Sequence, residues 1–259
     1  LKVTGTLADT TDVVVAGGAT YDVDATDTIQ PLSGAGSIDL ASGITLTTGD
    51  ANNQTISGVI SGAGNLTKAG SGTLTLNGDN TLAGVVTIDG GVLVAGNAAG
   101  EALDTASKVA VSSGATLNAG SPTGGYAFIK SLAGAGSVVI ADDKHLKITA
   151  GNAFDEFSGV ISGGANTGGL EVGGGTVTLS GVNTYSGNTD ITGGAALKLK
   201  GAGSIAAANT LYVSGSNGAS FNIADALGAV TVNNLYSASG LTGTMVLGAN
   251  TLSVNTTSD

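Results

Sequence analysis

The chain has no cysteine, no tryptophan and no arginine, and its 259 residues include only 2 prolines, 1 histidine and 1 methionine. Without cysteine there is no disulfide framework and no thiolate chemistry, a composition compatible with export. All 8 basic residues are lysine, against 19 acidic ones, for a net charge of −11 and a pI of about 4.1. Nucleic-acid binding needs cations that neutralise phosphate, ideally arginine forks, so that function is excluded. The same charge repels anionic membranes and polyphosphates. Charged residues are 10% and aromatics 3% of the chain, where a globular enzyme carries about 25% charged residues. No apolar run approaches the roughly 18 residues that span a bilayer. The opening LKVTGTLADT has neither the charged start nor the apolar stretch of a signal peptide, so the chain reads as a processed form or a fragment.

What is present is glycine, 45 residues of it, and a hydrophobic content of 41%. A core therefore exists, built from small aliphatic side chains, and the chain is not disordered.

The sequence repeats itself. GTLTLNGDNTLAGVVTIDGG (Gly72 to Gly91) and GTVTLSGVNTYSGNTDITGG (Gly175 to Gly194) share 11 of 20 positions without gaps. LSGAGS at Leu32 returns as LAGAGS at Leu132, SGVISG occurs at Ser57 and Ser158, and VSSGATLNAG at Val111 matches VSGSNGASFNIA at Val213. Offsets of 100 to 103 residues follow from those positions. They divide the chain into one repeat over about 32–131, a second over about 132–234, and partial repeats at both ends, as in a segment cut from something longer.

Within each repeat, short runs alternate with period two between glycine- and asparagine-rich turns. Leu74 and Leu76 point one way and Thr73 and Thr75 the other; Leu197 and Leu199 point inward, with Lys198 and Lys200 outward. The best helical candidate, AAGEALDTASK (Ala98 to Lys108), amounts to one turn. A sandwich, a barrel and a solenoid all use many short strands. The near-register repeat, the small side chains and the recurring Thr and Asn positions favour a single all-β solenoid over 1–259. Coils of roughly 20 to 25 residues give about 11 rungs, stacked at about 4.8 Å into some 50 to 55 Å. Glycine at the corners supplies positive φ.

The pattern G-x-L-x-L-x-G-x-N-x-(Y)-x-G-x-T-x-I-x-x-G resembles the passenger-associated (autotransporter-associated) β-strand repeat. The second copy carries Gly181, Asn183, Thr184, Tyr185, Ser186, Gly187 and Thr189 in place; the first departs at Leu82 and Val86, changes that are neutral for packing. The lead-in SGVISGAGNLTKAGSG (Ser57 to Gly72) is similar as well, and the resemblance covers about 200 residues. It implies a right-handed parallel β-helix, exported and carried to the bacterial surface by a C-terminal transmembrane β-barrel outside this chain. The chain ends NTTSD, without the terminal aromatic of such barrels.

Few residues offer chemistry. His145, in ADDKHLKIT, is the only base for a Ser-His-Asp triad, with Asp142 or Asp143 beside it. The inward alternation of Leu146 and Ile148 instead puts it on the outer face, exposed next to Lys147, and no G-x-S-x-G elbow accompanies it. Asp22, Asp24 and Asp27, in YDVDATDT, are alternating carboxylates that suit either Ca²⁺ or a solvated strand face; neither the EF-hand nor the calcium β-roll pattern is present. Asp155 and Glu156, in NAFDEFSG, are the pair glycoside hydrolysis asks for, but a loop with two hydrophobic staples, Phe154 and Phe157, is the simpler account. LSGAGS and LAGAGS precede no helix, which removes nucleotide binding.

No catalytic, cofactor-binding or metal-binding residues and no cofactor are therefore assigned. The expected role is structural and adhesive, a stalk that presents loops or associates with copies of itself or with a host or neighbouring-cell surface. This segment does not insert into a membrane. A self-polymerising subunit of a surface filament or layer is the alternative, and a carbohydrate-active β-helix a weaker one.

Overall fold

Alternation sends every second side chain inward. In the strands Thr45–Thr48, Asn65–Lys68, Thr73–Leu76 and Val85–Ile88 the second and fourth residues are buried while the first and third look outward. The computed structural model describes all residues except 121, 164–167, 206–209, 216, 238–240 and 256–259. The last of these take most of the NTTSD terminus outside the described residues. The chain divides into two units, Leu1–Lys130 and Ser131–Asp259.

Each unit is a parallel β-solenoid. In the first, one face stacks Asp27–Ile29, Thr45–Thr48, Asn65–Lys68, Val85–Ile88 and Lys108–Val111. Leu46 stands over Leu66 and Leu66 over Val86, a step of 20 residues each time. In the second, the corresponding face stacks Leu132–Gly134, Glu156–Phe157, Thr176–Leu179, Ala196–Gly201, Ala219–Ala226 and Gly243–Val246. The units thus hold about 11 coils, the number that coil length and chain length require. Among the described residues there is no helix. AAGEALDTASK runs through turns and bends, with a bridge from Leu103 to Ile129, into the strand that opens at Lys108, and it buries Ala102, Leu103 and Ala106. Gly100, at φ 82°, is outside the helical region, and a Cβ there would lie 1.8 Å from the Tyr126 carbonyl oxygen of the next coil.

The repeat motif is a set of stacking instructions. Its first inner glycine is Gly78 in one copy and Gly181 in the other; a Cβ there would sit 2.1 Å from the Gly58 oxygen and 1.8 Å from the Gly159 oxygen. The later glycine, Gly84 or Gly187, faces Gly64 or Gly168 in the same way. Positive φ accounts for Gly34 (φ 120°), but Gly58, Gly78, Gly159 and Gly181 are not in that region. Their requirement is close backbone approach, so corner conformation alone does not explain the glycine content.

The motif asparagine joins three coils. Asn80 is buried; its Oδ1 accepts from the Ile60 amide at 2.8 Å, one coil back, and its Nδ2 donates to the Ala102 carbonyl at 2.9 Å, one coil on. Asn183 repeats the arrangement with Ile161 and Ser204, at 2.8 and 2.7 Å. The Ile60 and Ile161 amides lie in strands, Ile60–Gly62 and Val160–Gly163, that end their sheets, and the asparagine supplies the acceptor that no further strand offers.

Tyr185 and Thr189 are both buried, with their hydroxyl oxygens 2.6 Å apart. In the first copy the same positions are Leu82 and Val86, also buried. The two departures from the motif are therefore one event, in which a hydrogen-bonded pair becomes an apolar pair. Leucine is smaller than tyrosine, and a void of about 10 Å³ lined by Leu82, Val86 and Asn80 remains. Lys68 is the exception to apolar filling. It points inward in the row Thr48, Lys68, Ile88, and its Nζ donates to the carbonyls of Ala69, Gly70 and Gly90 at 2.6 to 3.0 Å. Burial pushes its pKa down, partly offset by Asp50.

Tyr185→Phe leaves the Thr189 hydroxyl buried without this partner, with an expected loss of ~1–3 kcal/mol. Adding Thr189→Val should recover part of that loss, and a double-mutant cycle by chemical unfolding in which the two effects simply add would refute the pairing. Asn80→Ala strands a buried amide and a buried carbonyl together, and the expected loss is about 2 kcal/mol or more. An unchanged unfolding midpoint would show that the corner is held by other contacts.

Candidate functional site

Three groups of residues singled out in the sequence can be placed. Asp22 and Asp24 face outward and share one cation: Lys2 Nζ lies 3.4 Å from Asp22 Oδ2 and 2.6 Å from Asp24 Oδ2. The alternation runs unbroken through the bend at Ala25, so Asp27 falls on the same side as Tyr21, Val23 and Ile29, buried, accepting from the amides of Leu7 and Thr28 at 2.9 Å each. The three carboxylates do not share a face. Among the described residues no group of three or more His, Asp or Glu side chains is arranged to hold a metal ion.

His145 lies on the outward row, as the fully buried Leu146 and Ile148 require, but it is half-buried rather than exposed. Burial pushes its pKa down, with Glu171 opposing. Asp142 and Asp143 are exposed in the turn that precedes it, and Asp143 has φ 58°.

Asp155 and Glu156 diverge. Asp155 Oδ2 accepts from Ser131 Oγ at 2.8 Å; Glu156 accepts from Ser180 Oγ at 2.5 Å and pairs with Lys200 Nζ at 2.7 Å. Lys200, then Ser180, hold the Glu156 carboxyl below the usual range, whereas a glycosidase acid needs its pKa raised. Only one of the flanking aromatics is a staple. Phe157 is fully buried, but Phe154 is 95% exposed.

A row that no motif announces crosses one face of the second unit. Lys147 stands in register with Glu171, Glu171 with Asp190, Asp190 with Tyr212, and Tyr212 with Tyr236. Glu171 is 8% exposed and is held by Lys147 Nζ at 2.7 Å and Thr192 Oγ1 at 3.2 Å. Asp190, beside it, is pushed up to about 6, first by burial and then by the Glu171 charge. The Tyr212 and Tyr236 rings meet edge to face, 5.3 Å between centroids. These residues come from five successive coils, so their adjacency exists only once the coils are stacked. A pair of register-matched carboxylates is the single signal that sequence alone offered, and it requires the coil length to be known.

The model of the Passenger-associated-transport-repeat family matches residues 66–95 and 171–195. These matches include Asn80 and Leu82 in the first copy, and Asn183, Tyr185 and Thr189 in the second. The chain is 35% identical over 156 residues to the Adhesin BmaC autotransporter of Brucella suis biovar 1 (strain 1330), a stretch that covers 56% of this chain and 4% of that protein. This chain therefore corresponds to a small part of that relative. No solved structure matches the chain.

The raised Asp190 pKa fixes a sign. Its folded pKa, about 6, lies above the ordinary value of 3.8, so the folded state holds a proton that the unfolded state has released between those values. Asp190 is neutral for stability below about pH 4, and its penalty grows until the pH passes 6. Asp190→Asn should therefore raise Tm by about 2–4 °C at pH 7.5 and leave it unchanged at pH 4. Equal shifts at both pH values in a calorimetric scan would contradict this.

Proposed function

We propose that this chain, which matches the passenger-associated transport repeat at two places and resembles an autotransporter adhesin over 156 residues, is an autotransporter passenger segment with a structural and adhesive role at the bacterial cell surface. The observation that carries this reading is the division of labour between the two sides of each coil. The repeat residues Asn80, Asn183, Tyr185 and Thr189 are spent inside on stacking. Outside, the coils leave rows of small polar groups at a constant spacing. Thr28, Thr47, Thr67 and Thr87 stand in register on four successive coils of the first unit.

Such a row presents hydroxyls about 4.8 Å apart on a rigid backing. One hydroxyl contributes little, roughly 1 kcal/mol net per hydrogen bond, but several engage a facing surface together with only one loss of translational freedom. The backing is already ordered, so little conformational entropy is lost on contact. With a net charge of −11, the partner is a foreign surface in preference to an identical chain, because like surfaces repel at low ionic strength. In the full-length protein, a C-terminal β-barrel outside this chain would carry the segment across the outer membrane.

Beads coated with the purified chain should adhere to cultured epithelial cells or to bacterial cells. Replacing Thr47, Thr67 and Thr87 together by valine, which keeps shape and strand propensity, should lower that adhesion at least about tenfold with little change in the melting curve. Adhesion that survives the triple substitution would remove the threonine row from the mechanism; wild-type beads that never adhere would remove the adhesive role.

A further inference from the structure

We infer that the groove beside Phe154 in the second unit is a recognition site for a neutral, hydroxyl-rich chain, that is, a glycan without carboxylate or sulfate groups. This deepens the adhesive reading and rests on it. The first observation is Phe154 itself, 95% exposed, the most exposed of the large hydrophobic side chains among the described residues. Its loop is anchored on both sides. The Phe154 amide donates to Asn152 Oδ1 at 3.0 Å and the Asp155 amide to the Asn152 carbonyl at 2.9 Å. Asp155 Oδ2 is tied to Ser131 Oγ at 2.8 Å, and Phe157, two residues on, is fully buried. A phenyl ring held in water by ordered neighbours gives the fold nothing and offers a flat apolar face to something else.

The ring stands at the rim of an open groove of about 410 Å³, within the usual range for small-ligand sites, about 300 to 1,000 Å³. Thr176 and Thr178 form its floor, and Thr178 is 7% exposed. Two ion pairs line it: Lys200 Nζ to Glu156 Oε2 at 2.7 Å and Lys198 Nζ to Asp225 Oδ2 at 2.5 Å. Glu156, Thr178 and Lys198 share one register row, so carboxylate, hydroxyl and ammonium follow one another at the coil spacing.

The charges decide the ligand class. Each cation in the groove already has its anion, so an ionic ligand would have to displace a partner to find one. An anionic glycan also meets a chain of net charge −11, which disfavours its approach. A neutral saccharide meets neither obstacle. Its hydroxyls both donate and accept, so adjacent hydroxyls bridge a carboxylate and an ammonium without breaking the pair, and the C–H face of a pyranose lies on the phenyl ring. The polar groups recur at the coil spacing of about 4.8 Å, comparable with the step of an extended hexose chain. A peptide offers fewer hydroxyls for these paired groups, and the groove floor, being the face of a sheet, has no free backbone edge to receive its amides.

The test titrates the purified chain with cello-, malto-, laminari- and mannohexaose, with hexagalacturonate, and with an uncharged hexapeptide, read by saturation-transfer NMR and calorimetry. At least one neutral hexasaccharide should bind, and hexagalacturonate and the peptide should not. Phe154→Ala should weaken binding about fivefold to tenfold, and Lys198→Gln with Asp225→Asn should weaken it further, all with unchanged melting curves. Failure of all four neutral saccharides, binding unaffected by Phe154→Ala, or preference for the acidic sugar or the peptide would overturn the inference. Adhesion of coated beads that persists in Phe154→Ala, with no saccharide bound, sinks this site and leaves the adhesive role standing. Saccharide binding that depends on Phe154 in a chain whose beads adhere to nothing does the reverse.

Discussion

Stacked coils of backbone lie one strand spacing apart, about 4.8 Å, and the rest of the molecule answers to that distance. Where two strands pair edge to edge, the ladder satisfies itself. At the corners the chain leaves strand geometry, and the spacing becomes a problem. Glycines solve the steric half of it, because a Cβ at Gly187 would come within 1.5 Å of the Gly168 oxygen. Buried side chains solve the polar half: Asn80 and Asn183 each reach to the coil on either side where a sheet ends, and Lys68 gathers three turn carbonyls around one ammonium. Such a fold needs few charges and few aromatics, since each coil is stabilised by its neighbours and not by one large core.

Much of this was legible in the sequence, and the limits have physical causes. Strand direction followed from alternation: Leu146 and Ile148 went in, and Lys198 and Lys200 out, as their spacing requires. The coil count followed from length. Alternation also held through the bend at Ala25: Asp27 stands three residues from Asp24, so it turned inside while Asp22 and Asp24 stayed out, and the three carboxylates could not share a face. Alternation puts Lys68 inward with Leu66 but does not show what makes a cation tolerable there, because the carbonyls of Ala69, Gly70 and Gly90 converge on it only in three dimensions. Glycine was legible as a residue type but not as a mechanism: positive φ and close approach write the same letter.

The outward surface was the least legible part. Phe154 and Phe157 look equivalent on the page, yet one is fully buried and the other 95% exposed. The row from Lys147 to Tyr236 draws on residues about 20 positions apart, and a shift of one residue in any coil would dissolve it. Faces of this kind are properties of register. Interior positions repeat because each must match its neighbour, whereas exterior positions have no such tie and are where function has freedom to vary.

The pairing of Tyr185 with Thr189, and of Leu82 with Val86, bears on how a repetitive gene can be reshuffled. Copies this alike invite exchange of segments between them. A crossover outside the stretch between the two paired positions swaps an intact pair and yields a packed interior. One that falls within it couples Tyr to Val or Leu to Thr, and either product buries a hydroxyl without the partner it has in the second copy. The few residues between those positions thus act as a barrier to recombination inside an otherwise interchangeable module.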